Sequence, residues 1–438
     1  MKALLISLAF LMQAPTDSLP DLSRPWSLQQ CIDWAMEHNL TVAGSEISVE
    51  GREIDNHSSR MSWLPSVNGS VGESFSFGRG LGGNNTYEKG NSSSTSLSLG
   101  ASMTLFDGLA TPRRIQLSKL NLEAATADLE KAREDVSVQV AQAYVQILYN
   151  YEIRDVAARQ VSIDSLQTER LQGLYETGRA SAAELSQQKA ALAQSRVTLV
   201  QAGNNVRSSL LDMAQLLEFP YWEGFSVVRP DVSFSSALLP DPEEIYADAL
   251  GIRPAIQAEK IRLEGARKQI QIAKASYYPT LSLGGGVGTN YYTTFATQGF
   301  WDQLNSNFSK YLSLSLNIPI FNKFSVRNQV RSARLQYKAQ ELQLLRAEHV
   351  LYKEIQQAWN SAVASQAKHA ASLEASAAAE DAFQLTKAKY ENGKATITEF
   401  NESLARLVKA QSDAVQATYE CLYQTALVEF YRGRPLSL

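Results

Sequence analysis

One pattern is written twice in this chain. "LYETGRASAAEL" at 174–185 returns as "KYENGKATITEF" at 389–400, with Tyr175 and Tyr390 standing 215 positions apart. The match extends well outside these stretches. "SWLPSV" at 62–67 answers "SYYPTL" at 276–281, "LFDG" at 105–108 answers "IFNK" at 320–323, and "QAYVQ" at 142–146 answers "QAWNS" at 357–361. Self-similarity at a near-constant offset means two copies of one structural unit, stacked or wrapped together. Each copy opens on a helix-capping sequence, Ser27 with Gln30 in the first and Asp241-Pro242 with Glu244 in the second. The copies therefore run over about 27–240 and 241–438.

Inside each copy the hydrophobic period changes from helical to two and back. Over 94–106, Leu97, Leu99, Ala101, Met103 and Leu105 alternate with Ser96, Ser98, Gly100, Ser102 and Thr104. Over 309–321, Leu312, Leu314, Leu316, Ile318 and Ile320 do the same. The stretches before them, 66–78 and 280–292, alternate less cleanly, with Glu73 on the apolar face. Gly/Asn/Ser-rich loops at about 79–93 and 293–308 join each pair. That predicts hairpins over 66–106 and 280–321, four strands in all. The remainder reads as helix. No proline follows Pro112 before Leu174, room for a helix of roughly 95 Å at 1.5 Å per residue. Beyond each repeated stretch runs a heptad: Leu185, Leu192, Leu199, Val206 and Met213, then Phe400, Leu407, Ala414, Cys421 and Val428. A sustained seven-residue spacing is coiled-coil packing.

Strands of this length, apolar on one face and Ser/Gly/Thr/Asn on the other, fit an outer-membrane barrel with a wet lumen. A bilayer tolerates no open sheet edge, and four strands cannot close, because the smallest such barrels have about eight. The chain must then oligomerise. A soluble sandwich edge is the alternative, and helices this long fit it poorly. Lys2, the apolar run from Ala3 to Met12 and the small Ala14 make residues 1–14 an export signal, with Pro15 leaving the cleavage site open. No stretch reaches the ~18 apolar residues of a spanning helix. Phe295, Phe300, Trp301, Phe308 and Tyr311 could form an aromatic girdle at a membrane interface.

Composition excludes several classes. A formal net charge of −4 argues against a grip on nucleic acid. Two cysteines, Cys31 and Cys421, rule out a disulfide scaffold and a cysteine metal cluster; they could pair or stand as two buried thiols. His38, His57, His349 and His369 lack metal-ligand spacing. "GGGVG" at 284–288 lacks the Lys-Ser/Thr of a phosphate loop. With no nucleophile–base pairing, neither an enzyme nor a metal or cofactor is expected.

The repeated stretch is a helix reversal. Gly178 and Gly393 suit the left-handed turn that ends a helix, while Ser181-x-x-Glu184 and Thr396-x-x-Glu399 are capping boxes that restart one. Reversal tips over 173–184 and 388–399 follow.

Duplicated halves, each helix–hairpin–long helix–"Y-E-x-G-[RK]-A-[ST]-x-x-E"–helix, resemble the TolC family of outer-membrane channel proteins over nearly all of the chain after residue 14. The resemblance implies an α+β membrane protein. In it, a homotrimer builds a twelve-stranded barrel, four strands per chain, embedded in outer-membrane lipid. A long periplasmic helical barrel of coiled-coil helices continues it. It further implies a passive exit duct that docks a periplasmic adaptor protein and an inner-membrane transporter. Small-molecule efflux and type I protein secretion are both served by such ducts. A surface coiled-coil adhesin is the rival from another class, but it has no need of duplicated hairpins with a lipid-facing side.

The same resemblance places Tyr175 and Tyr390 on the tip aromatic position, and Glu184 and Glu399 on the aperture-side acid. Glu402 falls on a second acidic position, where the first copy has Gln187. Gly178, Ser181, Gly393 and Thr396 belong to the tips that dock the adaptor. Ala395 stands where some members carry a basic residue; here the basic groups are Arg179 and Lys394, one place earlier. Each carboxylate also has a plainer reading: Glu184 and Glu399 as caps, and Glu402 as part of a solvated helix face.

Overall fold

In the computed structural model the described residues are 22, 24–81, 86–230, 239–293 and 299–436. The expected export signal lies outside them, as does Phe295. The elements follow the chain as α1 (Leu28–His38), α2 (Leu40–Met61), β1 (Ser66–Ser76), β2 (Arg79–Leu81), β3 (Tyr87–Lys89), β4 (Ser92–Phe106), α3 (Ala110–Glu176) and α4 (Ala182–Leu216). The second half gives α5 (Pro242–Ile252), α6 (Pro254–Ala275), β5 (Thr280–Tyr292), α7 (Phe300–Ser306), β6 (Ser309–Asn317), α8 (Ser325–Glu391) and α9 (Ile397–Tyr431). Helices in matching places have matching lengths: α3 and α8 have 67 residues each, α4 and α9 have 35. At 1.5 Å per residue the 67-residue helices are about 100 Å long. No helix is long and apolar enough to cross a membrane among the described residues.

The chain packs into two units, and each draws on both sequence copies. One takes residues up to Ser45, Glu130–Arg253 and His349 onward; the other takes Glu46–Leu129 and Pro254–Glu348.

The second of these holds the strands. Both hairpins form, and they join through β4 and β5 into one antiparallel sheet in the order β1-β4-β5-β6. Directly paired residues share a face of a sheet. One face therefore carries Val67, Val71, Phe75, Leu97, Leu99, Leu283, Leu312, Leu314 and Leu316, and Val71, Leu312 and Leu314 are largely exposed. The other carries Ser66, Ser70, Ser98, Ser102, Gly284, Gly286 and Ser313. Glu73 sits on the apolar face opposite Thr95, whose hydroxyl donates to its carboxylate; the pairing gives the intruding charge a partner.

Three strand details depart from the sequence expectation. β6 stops at Asn317 rather than 321, because Pro319 has no N–H to give a ladder. The first expected loop contains a short ribbon, β2 with β3. The second contains α7, whose Phe300 meets Tyr291 edge-on at 5.0 Å. Tyr311 falls on the Ser/Gly face and so does not join a girdle with Phe300 and Trp301. At the exit from β4, Gly108 has φ +68, and a Cβ there would lie 2.6 Å from the Ala275 carbonyl oxygen. Only glycine allows that approach. Asp107 then caps α3 by accepting from the Thr111 N–H at 2.9 Å.

In the other unit the heptads form the seams. Leu185, Leu192, Val206 and Met213 of α4 are buried, with Leu199 only partly covered, and all five α9 positions are buried. Cys31 and Cys421 are buried free thiols, and burial pushes the Cys31 thiol up to about 12. Trp26, Trp34, Phe219 and Phe225 pack edge-on around a single parallel bridge from Trp26 to Val227. His38 stacks on Trp34 at 3.8 Å.

Candidate functional site

The two reversals lie in one unit and are built alike. Gly178 and Gly393 adopt φ +73 and +70. The Arg179 N–H donates to the Leu174 carbonyl and the Gly178 N–H to that of Tyr175, at 2.8 and 2.9 Å. Lys394 and Gly393 repeat the pair onto Lys389 and Tyr390, at 2.8 and 3.0 Å. This is the paired closure of a left-handed glycine stop. α4 and α9 restart at once on reciprocal boxes. Glu184 N–H donates to the Ser181 hydroxyl at 3.1 Å while Ser181 N–H donates to the Glu184 carboxylate at 2.8 Å. Thr396 and Glu399 do the same at 3.2 and 2.6 Å. Those backbone and hydroxyl hydrogen bonds hold the Glu184 and Glu399 carboxyls below the usual range.

The side chains around the reversals differ. Tyr175 is exposed, whereas Tyr390 lies against Phe400 with ring centroids 5.2 Å apart. Burial raises the Tyr390 hydroxyl's pKa. Phe400 belongs to a core shared by the two helical hairpins, the first α3 with α4 and the second α8 with α9, together with Leu171, Leu185, Phe383, Ile397, Leu404 and Leu407. Arg170 of the first hairpin reaches the second: its guanidinium is 5.7 Å from the Tyr390 ring centre and 3.8 Å from the Glu391 carboxylate. A groove of about 470 Å³ runs past Ile163, Gln167, Arg170, Phe383, Lys387 and Tyr390.

Glu402 is exposed and sits 3.4 Å from Arg406, one turn on. Arg179 and Lys394 are exposed at the turns. The structure thus packs Tyr390 against the core, keeps Ser181, Thr396 and Glu399 exposed in their capping boxes with Glu184 partly covered, and leaves Tyr175, Glu402, Arg179 and Lys394 on the surface.

Sequence reading missed Arg170 and a polar layer further back along the first hairpin. The signal for both was a mismatch between copies: Arg170 corresponds to Leu385, and Asp164, Gln188 and Ser195 correspond to Ala379, Ser403 and Ala410. Asp164 is only 2% exposed. Burial raises its carboxyl's pKa, opposed by hydrogen bonds from Ser195 and Gln188.

The sequence model described as outer membrane efflux protein matches this chain twice, over residues 31–217 and 245–432. The chain belongs to the outer membrane efflux protein family. As a family member it is a bacterial outer-membrane protein with its helical part in the periplasm. Protein CyaE of Bordetella pertussis is 26% identical over 417 residues, covering 92% of this chain and 81% of CyaE. The fusaric acid resistance protein FusA of Burkholderia cepacia is 29% identical over 214 residues, covering 48% of this chain and 39% of FusA. In fold, this efflux protein is similar to the crystal structure of the outer membrane protein VceC from Vibrio cholerae, with a TM-score of 0.78 at 20% identity, covering 94% of this chain and 97% of that one. The resemblance to TolC-type channels holds at the level of the family.

Proposed function

We propose that three copies of this efflux protein close one twelve-stranded barrel and form the exit duct of a tripartite system that passes small molecules outward. The carrying observation is the four-stranded sheet, with an exposed apolar face and with β1 and β6 as its outer strands. In lipid each unpaired backbone group costs several kcal/mol, so those edges must be met by other copies. Three, rather than the two that would reach eight strands, follows the TolC-type pattern. The choice of small-molecule cargo over a secreted protein leans on the name of FusA, a resistance protein for one small acid.

The reversals are then the adaptor-docking end. The groove beside Arg170 and Tyr390 offers an apolar floor with charged rims, suited to a helical hairpin of an adaptor. Energy comes from the inner-membrane transporter; this subunit supplies a path and a gate. Glu402 and Glu399 would each recur three times around the aperture and favour cations there, with Tyr175, Arg179, Lys394 and Glu184 beside them.

The test is an arginine scan of the sheet. Leu99→Arg and Leu314→Arg should block outer-membrane assembly, since arginine at the lipid midplane costs about 2–4 kcal/mol. Ser98→Arg and Ser313→Arg should assemble into trimers, seen by light scattering in mild detergent. Equal behaviour of the two pairs, or a monomer with an intact β signal, would sink the barrel.

A further inference from the structure

Among the described residues the Ser/Gly face of the sheet carries two large aromatics, Tyr292 at the loop end of β5, opposite Ser94, and Tyr311 within the sheet on β6. Tyr311 stands opposite Gly286, Gly286 opposite Gly100, and Gly100 opposite Asn68. These four residues make a single row across all four strands. The Tyr311 side chain does not rise from the sheet. Its Cε1 and Oη lie 2.9 and 3.1 Å from where a Cβ on Gly286 would sit, and Oη lies 3.6 Å from the Cβ position of Gly100. The ring therefore leaves β6 sideways, crosses the bare backbone of β5 and reaches β4. At Gly286 a Cβ would also lie 2.7 Å from the Leu99 carbonyl oxygen, so backbone and ring both demand glycine there. At Gly100 the Tyr311 hydroxyl is, among the described residues, the only neighbour within reach of a Cβ.

Covering glycine backbone with a cross-strand aromatic is a known way to steady a sheet. That role alone leaves something unexplained. Tyr311 remains 60% exposed, on a face where its neighbours at this height are serine, glycine and asparagine. A side chain as long as tyrosine, pointing straight out there, would stand well clear of every neighbour. The two glycines give it a bed to lie in.

We infer that Tyr311 sets the bore of the barrel lumen, and that the Gly100–Gly286 bed holds its ring against the wall and out of the path of cargo. This rests on the duct reading above, which makes the Ser/Gly face the lumen. Symmetry then puts one such ring per copy at the same height, so any displacement is repeated around the barrel.

The experiment sizes the outer mouth of channels in planar bilayers with polyethylene glycols added from the outer side. Entry of polymer there reads the barrel, not the aperture. Gly100→Leu places a branched carbon under the Tyr311 hydroxyl, must lift the ring, and should lower the largest polymer admitted. Adding Tyr311→Ala to it should restore the wild-type cut-off. An assembled Gly100→Leu channel with an unchanged cut-off overturns the inference. Should Gly100→Leu fail to assemble, Tyr311→Trp on the untouched bed carries the test: the larger ring must protrude and lower the cut-off, and no change again overturns it. A wild type that conducts nothing would instead remove the duct reading, and this inference with it.

Discussion

The first and second hairpins share a turn, a cap and a helix length, yet their seams differ in chemistry. At the second, Phe383, Phe400 and Tyr390 pack ring against ring beside Leu404 and Leu407. At the first, Leu185 takes the place of Phe400, and the seam behind it holds the buried Asp164, Gln188 and Ser195. Local signals that make a reversal have been kept in both, while the residues that decide how tightly each hairpin is held have diverged. Arg170 ties the two together from the first side only, since Leu385 occupies its place in the second copy. Equal geometry therefore need not mean equal stability.

The comparison is tested most sharply by truncating the core. Phe400→Ala should cost about 3–5 kcal/mol and Leu185→Ala about 2–5, as for other buried side chains of these types. Loss of helical signal on heating should come earlier for Phe400→Ala, because it strips Tyr390 and Phe383 of their partner. An equal or larger effect of Leu185→Ala would mean that the second seam is not the dominant one.

The caps should behave as equals. Ser181→Ala and Thr396→Ala each remove an accepted hydrogen bond at a helix start and should cost about 0.5–2 kcal/mol. Hydrogen exchange over the first turns of α4 and α9 would show it. A loss confined to one hairpin would break the likeness of the two turns.

Acid should separate them again. The Asp164 carboxyl is raised by burial, so the folded protein holds that proton to higher pH than the unfolded chain. Its contribution is most favourable below the unfolded value and declines as pH rises toward the folded one. Glu184 and Glu399 are lowered, so their help is present above the unfolded value and lost as pH falls through the folded one. Mild acid should therefore tighten the seam at Asp164 before stronger acid loosens the caps. Exchange protection around Asp164 should rise as pH is lowered toward that window, and Asp164→Asn should abolish the rise. The second hairpin, with Ala379 in that place, should show no such gain.

The smallest effect concerns charge at the surface. Glu402 and its counterpart Gln187 are an acid–amide difference just beyond the reversals. The ion pair with Arg406 is exposed and contributes at most a few tenths of a kcal/mol, so Glu402→Gln should leave thermal stability unchanged. If Glu402 faces the aperture, the same change should weaken cation selectivity and trivalent-cation block of single channels. Unaltered selectivity would place Glu402 on a solvated face.

Much of this molecule can be read from its letters because the deciding interactions are local. A glycine that must take positive φ, a hydroxyl three residues before a glutamate, a heptad and an alternation of period two each act within a few residues of chain. They announce the reversals at Gly178 and Gly393, the boxes at Ser181 and Thr396, the long helices and the four strands. What local pattern cannot convey is which distant residues meet. The joining of β4 to β5 is a pairing between copies, and it decides that Gly100 lies beside Gly286 under the Tyr311 ring; the β1–β4 register likewise decides that Glu73 finds Thr95. The end of β6 at Asn317 depends on a ladder that Pro319 cannot continue. The contact of Arg170 with Tyr390 depends on how two hairpins share one core. Those contacts join residues far apart in sequence, and the free energy that selects them comes from burial and hydrogen bonding realised only once the chain has packed.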